Sequence, residues 1–156
     1  MEKLATPFQE HIHYRDLDMY SVLYHPKYFE LCDNARNQAF KEFGYPIEDQ
    51  LKDKVGFTVG GITDVVFRRP IFMDEKIFIF TKFSKTSTKS CLVEHWIQSC
   101  DDHEKRATTE IFKAKYNLVF VSIGEVAEYP LNISNIQKMK VVNFNSMAQG
   151  IFELPT

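Results

Sequence analysis

A single long helix with both of its ends marked constrains this sequence more than any other feature. From Tyr28 onward, apolar residues fall at Phe29, Leu31, Cys32, Ala35, Ala39, Phe40 and Phe43. That spacing traces one broad face of a 3.6-residue period. Lys27, Glu30, Asp33, Asn34, Asn37, Gln38 and Lys41 occupy the other face. Pro26 suits the first helical position, where its missing N–H would be unpaired anyway. Gly44 supplies a left-handed terminator and Pro46 prevents continuation. The pattern predicts a helix over 26–43 with one buried side.

Downstream of the helix the chain reads as strand. Residues 56–67 (GFTVGGITDVVF) form a β-branched run, and the Gly60-Gly61 pair within it marks a bulge, a bend or a close backbone approach. Arg68-Arg69-Pro70 breaks that run and Met73-Asp74-Glu75 makes a turn. Residues 76–85 alternate, with Ile77, Ile79, Thr81 and Phe83 on one face and Phe78, Phe80 and Lys82 on the other. Runs at 90–99 and 106–121, separated by the polar 100–105 turn, complete an antiparallel meander. Upstream, 7–14 is a short strand with Phe8, Ile12 and Tyr14 on one face and His11 and His13 on the other. Residues 48–54 read as a charged connector, 124–130 as a loop, and 133–139 as helix-compatible. A lone helix must bury its apolar side, and a curved antiparallel sheet is the partner this chain offers. The expected fold class is α+β, one domain over 1–156, with its core at 8–122 and a C-terminal extension at 131–156. Such a sheet leaves edge strands unpaired, so a homodimer, or a dimer of dimers, is expected.

Composition narrows the function. Across 156 residues the formal net charge is −2, which gives no global reason to expect nucleic acid as a partner. No apolar run reaches the roughly 18 residues of a membrane span, and the N-terminal stretch lacks a secretory pattern. The three cysteines, Cys32, Cys91 and Cys100, have no metal or redox spacing, so a reducing, cytoplasmic setting is expected. Two histidines at i and i+2, His11 and His13, have no third ligand nearby, and no metal is expected. The 14 phenylalanines read either as an aromatic-rich core or as a wall for an apolar ligand.

Ahead of the helix lies an acidic turn, Asp16-Leu17-Asp18, followed by Val22-Leu23-Tyr24-His25-Pro26, then Tyr28 and Ala35-Arg36. A second segment runs Phe67-Arg68-Arg69-Pro70-Ile71-Phe72-Met73-Asp74. These two signatures, in this element order, resemble the hotdog-fold thioesterases of the 4-hydroxybenzoyl-CoA thioesterase-like group over residues 8–122. The family pattern carries a glycine three residues after the second aspartate, where this chain has Ser21. Either Ser21 takes a costly left-handed conformation or the turn differs locally.

The helix N-terminus offers unpaired amides with partial positive charge, so a thioester carbonyl placed near His25 and Lys27 meets N–H donors for its developing oxyanion. The resemblance implies a thioesterase acting on an acyl-CoA or acyl-carrier-protein thioester. Asp18 would be its catalytic carboxylate, attacking directly or activating water. Read without the resemblance, Asp18 is a turn-forming residue, and Asp16 is read as one in either case. His25 joins the catalytic set as a substrate hydrogen-bonding group or is structural. Tyr24 and Tyr28 are wall candidates or ordinary core. Lys85 and Lys89, flanking the Thr86-Ser87-Thr88 turn, lie where related enzymes place cations for the nucleotide part, and Arg68 and Arg69 are further phosphate candidates. All four are otherwise solvated turn charges. No cofactor is expected beyond the CoA or phosphopantetheine carried by the substrate. A non-catalytic hotdog module that binds acyl thioesters or serves as an assembly partner is the competing expectation.

Overall fold

The computed structural model describes residues 2–99, 110–123 and 139–153. The expected helix is α1, His25–Glu42. It ends in a Schellman closure: Gly44 has φ +86, its N–H reaches the Lys41 carbonyl at 3.1 Å, and the Tyr45 N–H reaches that of Phe40 at 2.9 Å. His25, not Pro26, is the first helical residue, with Pro26 one position later. The stretch read as a connector is a short helix, α2, Ile47–Lys52. Its buried residue is Gln50, whose Nε2 donates to the Tyr45 carbonyl at 2.8 Å. An inward glutamine leaves no apolar period to detect.

Strands β1 (Glu2–Leu4), β2 (Phe8–His11), β3 (Val55–Phe67), β4 (Lys76–Lys85), β5 (Ser90–Ser99), β6 (Glu110–Ser122) and β7 (Lys140–Val141) form one antiparallel sheet. Its order is β1-β4-β5-β6-β3, with β2 also on β4 and β7 also on β6. β2 ends sooner than expected: Tyr14 belongs to a 3-10 turn, Tyr14–Asp16, and is exposed instead of sharing the face of Phe8 and Ile12. Gly60 has no partner in the β3–β6 register, which makes it the expected bulge. A Cβ there would stand 3.2 Å from Val119 Cγ2. The expected turn at 100–105, the residues 106–109 assigned to the last long strand, the loop at 124–130, the helical stretch over 133–138 and Cys100 lie outside the described residues.

The alternation read in β4 holds, with Ile77, Ile79, Thr81 and Phe83 buried. Together with Val93, Ile97, Tyr116, Leu118 and Phe120 they line the buried side of the sheet, and α1 sets Leu31, Cys32, Ala35, Ala39 and Phe40 into the same core. Midway along the helix the core turns polar. Arg36 is buried, donating to Asp33 Oδ1 at 2.5 Å and lying 3.2 Å from His95 Nε2. The guanidinium fixes Nε2 as acceptor, so the ring's proton is on Nδ1, 3.0 Å from Thr81 Oγ1. Burial first, then the Arg36 charge, lowers the His95 pKa to about 3, so the ring stays neutral. The guanidinium also covers the Tyr116 ring at 4.6 Å.

The C-terminal segment closes the far end. Asn145 caps a short helix, α3, Ser146–Gly150, accepting the Ala148 N–H at 2.8 Å. Phe144 and Phe152 stack at 5.6 Å, and Phe144 meets Phe57 at 5.7 Å and Phe120 at 5.5 Å. Phe40 of α1 and Phe43, which caps its C-terminus, meet Phe83 at 5.3 and 5.4 Å. At this end the phenylalanine excess is packed core.

Candidate active site

The acidic turn is held at both ends by backbone. The Asp18 N–H donates to the Val22 carbonyl at 2.9 Å and the Ser21 N–H to the Asp18 carbonyl at 3.0 Å. Leu17 bridges Leu23, Val22 bridges Phe72, and the Leu23 N–H reaches the Ile71 carbonyl at 2.7 Å. The two segments singled out in the sequence are therefore stitched to each other. Ser21 takes φ +62, the costlier of the two expected outcomes, at about 1–2 kcal/mol for an L-residue. Asp18 Oδ1 accepts the Tyr20 N–H at 2.8 Å, while Oδ2 has no hydrogen-bond partner among the described residues. Asp16 is a local structural residue: its Oδ2 accepts the His13 N–H at 3.1 Å, and its carbonyl accepts the Tyr24 N–H at 3.0 Å.

α1 begins immediately after this turn. The Lys27 N–H donates to the Tyr24 carbonyl at 2.9 Å, so it is not a free donor. The His25 N–H makes no hydrogen bond among the described residues, and Pro26 has none to give. Among the described residues the first turn thus leaves the His25 N–H as an unengaged donor, where the sequence predicts donors near both His25 and Lys27.

Beside it opens a cleft of about 250 Å³ lined by Val22, Leu23, His25, Tyr28, Phe67, Arg68, Arg69 and Pro70. Four of the expected site residues, His25, Tyr28, Arg68 and Arg69, meet there. Tyr28 is buried, its phenol raised above the ordinary range chiefly by burial and opposed by a hydrogen bond with the Ile71 backbone, with Asp18 and Glu75 adding negative charge. Arg69 forks onto the Glu75 carboxylate and donates to the Pro70 carbonyl at 2.8 Å, which makes it a clamp on its own turn. Arg68 pairs with Glu110 at 3.1 Å and stays half exposed at the mouth. Tyr24 is 52% exposed, so its ring is not part of the core. Phe67 is not among the expected site residues; its place as the aromatic of the second signature is the signal for the wall it forms.

Lys85 and Lys89 are placed elsewhere. Lys85 Nζ donates to Gln149 Oε1 at 2.8 Å and lies 5.8 Å from the Phe144 ring centre, while the Lys89 N–H bonds Ser87 Oγ at 3.0 Å. Lys85 packs with the aromatic cluster at the C-terminal end of α1, a helix of 18 residues and about 27 Å, whereas Asp18 precedes its N-terminus. His11 pairs with Asp74 at 3.2 Å. No group of three metal-ligating side chains occurs among the described residues, and no helix among them is long and apolar enough to cross a membrane.

The family model described as thioesterase-like superfamily matches residues 12–133. Among solved structures, the chain is similar to a gentisyl-coenzyme A thioesterase, with 19% identity, 92% of this chain and 99% of that chain covered, and a TM-score of 0.73. It is similar to the 4-hydroxybenzoyl CoA thioesterase of a Pseudomonas species, with 15% identity, 96% and 98% covered, and a TM-score of 0.75. A 1,4-dihydroxy-2-naphthoyl-CoA thioesterase from Synechocystis aligns at 12% identity over 84% and 91%, with a TM-score of 0.67. At these identities the likeness establishes the hotdog fold, as expected. No curated protein matches the sequence.

Proposed function

This chain belongs to the thioesterase-like superfamily, and from that premise we propose that it hydrolyses an acyl thioester, of CoA or of a carrier protein, with Asp18 as the working carboxylate. The observation that carries this reading is that, among the described residues, Asp18 Oδ2 is unengaged in a turn leading directly to a His25 N–H that is also unengaged, beside an apolar cleft. The carbonyl oxygen accepts the His25 N–H, a donor worth roughly 2.7–4 kcal/mol as negative charge develops. Asp18 either attacks the carbonyl carbon, forming a mixed anhydride that water then hydrolyses to restore the carboxylate, or takes a proton from the attacking water. The C–S bond breaks, the thiolate leaves and is protonated, and water supplies the oxygen of the free acid. Water and side chains suffice, so no cofactor takes part.

Arg68 at the mouth is the cation placed to meet CoA phosphates from within one protomer. Lys85 and Lys89, toward the other end of α1, would serve a substrate bound across protomers. β3 has an unpaired outer edge among the described strands, and Tyr14, Met19, Tyr20, Tyr24, Phe72 and Met73 stand exposed around the acidic turn. This edge and these exposed rings support the homodimer reading, in which a second copy would cover them. The Tyr20–Asp18 hydrogen bond favours the second reading, a binding module whose aspartate only shapes its turn.

Thiol release from acyl-CoA and acyl-carrier-protein esters tests the choice. Asp18→Asn keeps the acceptor oxygen for Tyr20 and removes the base, so the rate should fall by at least about 10². An unchanged rate overturns this mechanism, and binding without turnover establishes the module.

A further inference from the structure

Rings set the depth of the cleft at the helix N-terminus. Its volume, about 250 Å³, is below the roughly 300–1,000 Å³ of pockets that enclose drug-sized ligands. Tyr28 and Phe67 form its inner wall, with centroids 5.0 Å apart and planes at 85°. Phe112 stands behind both, 0% exposed, 5.1 Å from Tyr28 and 5.0 Å from Phe67. Phe29 on α1 braces it edge-on at 6.0 Å, and His25 flanks Phe67 at 5.2 Å. The path an acyl chain would take from the helix N-terminus into the space between α1 and the sheet is filled by these rings.

Resting on the thioesterase reading, we propose that this ring floor restricts the substrate to an acyl group of one substituted ring, or an aliphatic chain of similar volume, with Phe67 and Phe112 as its specificity-determining residues. A cavity of about 150 Å³ takes benzene, so this cleft has room for one ring and its substituents. A second fused ring or a long chain must displace Phe112, and an interior packed to crystal density yields only at a cost in binding. The Asp18 carboxylate and the His25 N–H lie outside this floor, which therefore sets which acyl group enters and leaves the chemistry unchanged.

The test measures thiol release from acetyl-, hexanoyl-, palmitoyl-, benzoyl- and naphthoyl-CoA by the wild type, Phe67→Ala and Phe112→Leu. Calorimetry measures binding of the matching thioether analogues, which cannot be hydrolysed. The wild type should prefer hexanoyl and benzoyl over palmitoyl and naphthoyl by at least about tenfold in kcat/KM and in affinity, the scale of a small misfit in an apolar pocket. Phe67→Ala, at a position 42% exposed, and the milder Phe112→Leu both preserve the fold and should raise the palmitoyl-to-hexanoyl ratio by a similar factor. A wild type that hydrolyses palmitoyl- or naphthoyl-CoA best overturns the floor and leaves the thioesterase reading standing. Size-ranked affinity without hydrolysis does the reverse. Variants that scale every acyl group alike remove both phenylalanines from specificity, and a chain that neither binds nor hydrolyses any of the panel or the matching carrier-protein esters overturns floor and activity together.

Discussion

The two ends of α1 are built from the same aromatic material and treated oppositely. At the C-terminal end, Phe40, Phe57, Phe83, Phe120, Phe144 and Phe152 meet ring against ring, and the C-terminal segment covers them. At the N-terminal end, Phe67, Phe72, Tyr20 and Tyr24 remain exposed, a left-handed serine holds a tight turn, and a carboxylate oxygen and an amide lack partners among the described residues. Polar groups without a protein partner cost stability once they are desolvated, and exposed rings forgo the gain of burial. Confining them to one end while the other is sealed lets a single helix be both an anchor and a site.

Three changes test that division. The largest effect is expected from Phe144→Ala, which should cost about 3–5 kcal/mol in denaturant unfolding while leaving the ranking of acyl substrates intact below the melting range. A changed ranking would mean that the ends are coupled. The next concerns the buried middle of the helix. The His95 pKa is lowered from 6.5 to about 3, so between these values the unfolded chain binds a proton that the folded chain does not. Stability is therefore full above the ordinary histidine range and falls as pH drops, by about 2 kcal/mol from pH 7 to pH 5. Unfolding titrations at the two pH values should show a shallower loss in His95→Asn; an equal loss would assign it to other groups. The smallest effect is at the open end, where Ser21→Gly relieves the positive φ and should raise stability by roughly 0.5–1 kcal/mol, net of the glycine's greater unfolded freedom. A loss would show that the Ser21 side chain stabilises the turn.

Where one physical signal dominates, the sequence sufficed. The 3.6 period with Gly44 behind it located α1, and the alternation of 76–85 and the β-branched and aromatic run at 90–99 located β4 and β5 to the residue. The acidic turn and the second aromatic-Pro segment were legible as motifs, but only the bridges Leu17–Leu23 and Val22–Phe72 reveal that they touch. The short helix α2 was hidden because its buried side chain is Gln50, and the Arg36–His95 pair because buried polar partners 59 residues apart leave no periodic trace. Lys85 and Lys89 share the charge of Arg68 but not its end of the molecule, and distance along a folded helix cannot be read from composition.

The sealed end carries a consequence for the order of events in time. Its ties join remote parts of the chain: Lys3 to Glu153, Tyr45 to Asn145, and Thr88 to Phe144. The acidic turn itself closes over fewer than ten residues, Asp16 to Tyr24 and Asp18 to Val22, and its remote ties are those to Ile71 and Phe72. Closing long loops carries the greater entropic cost and comes late in folding. Contacts absent from the rate-limiting transition state govern how fast a protein comes apart more than how fast it forms. On this argument the aromatic seal is expected to act as a latch, and Phe144→Ala should speed unfolding more than it slows folding.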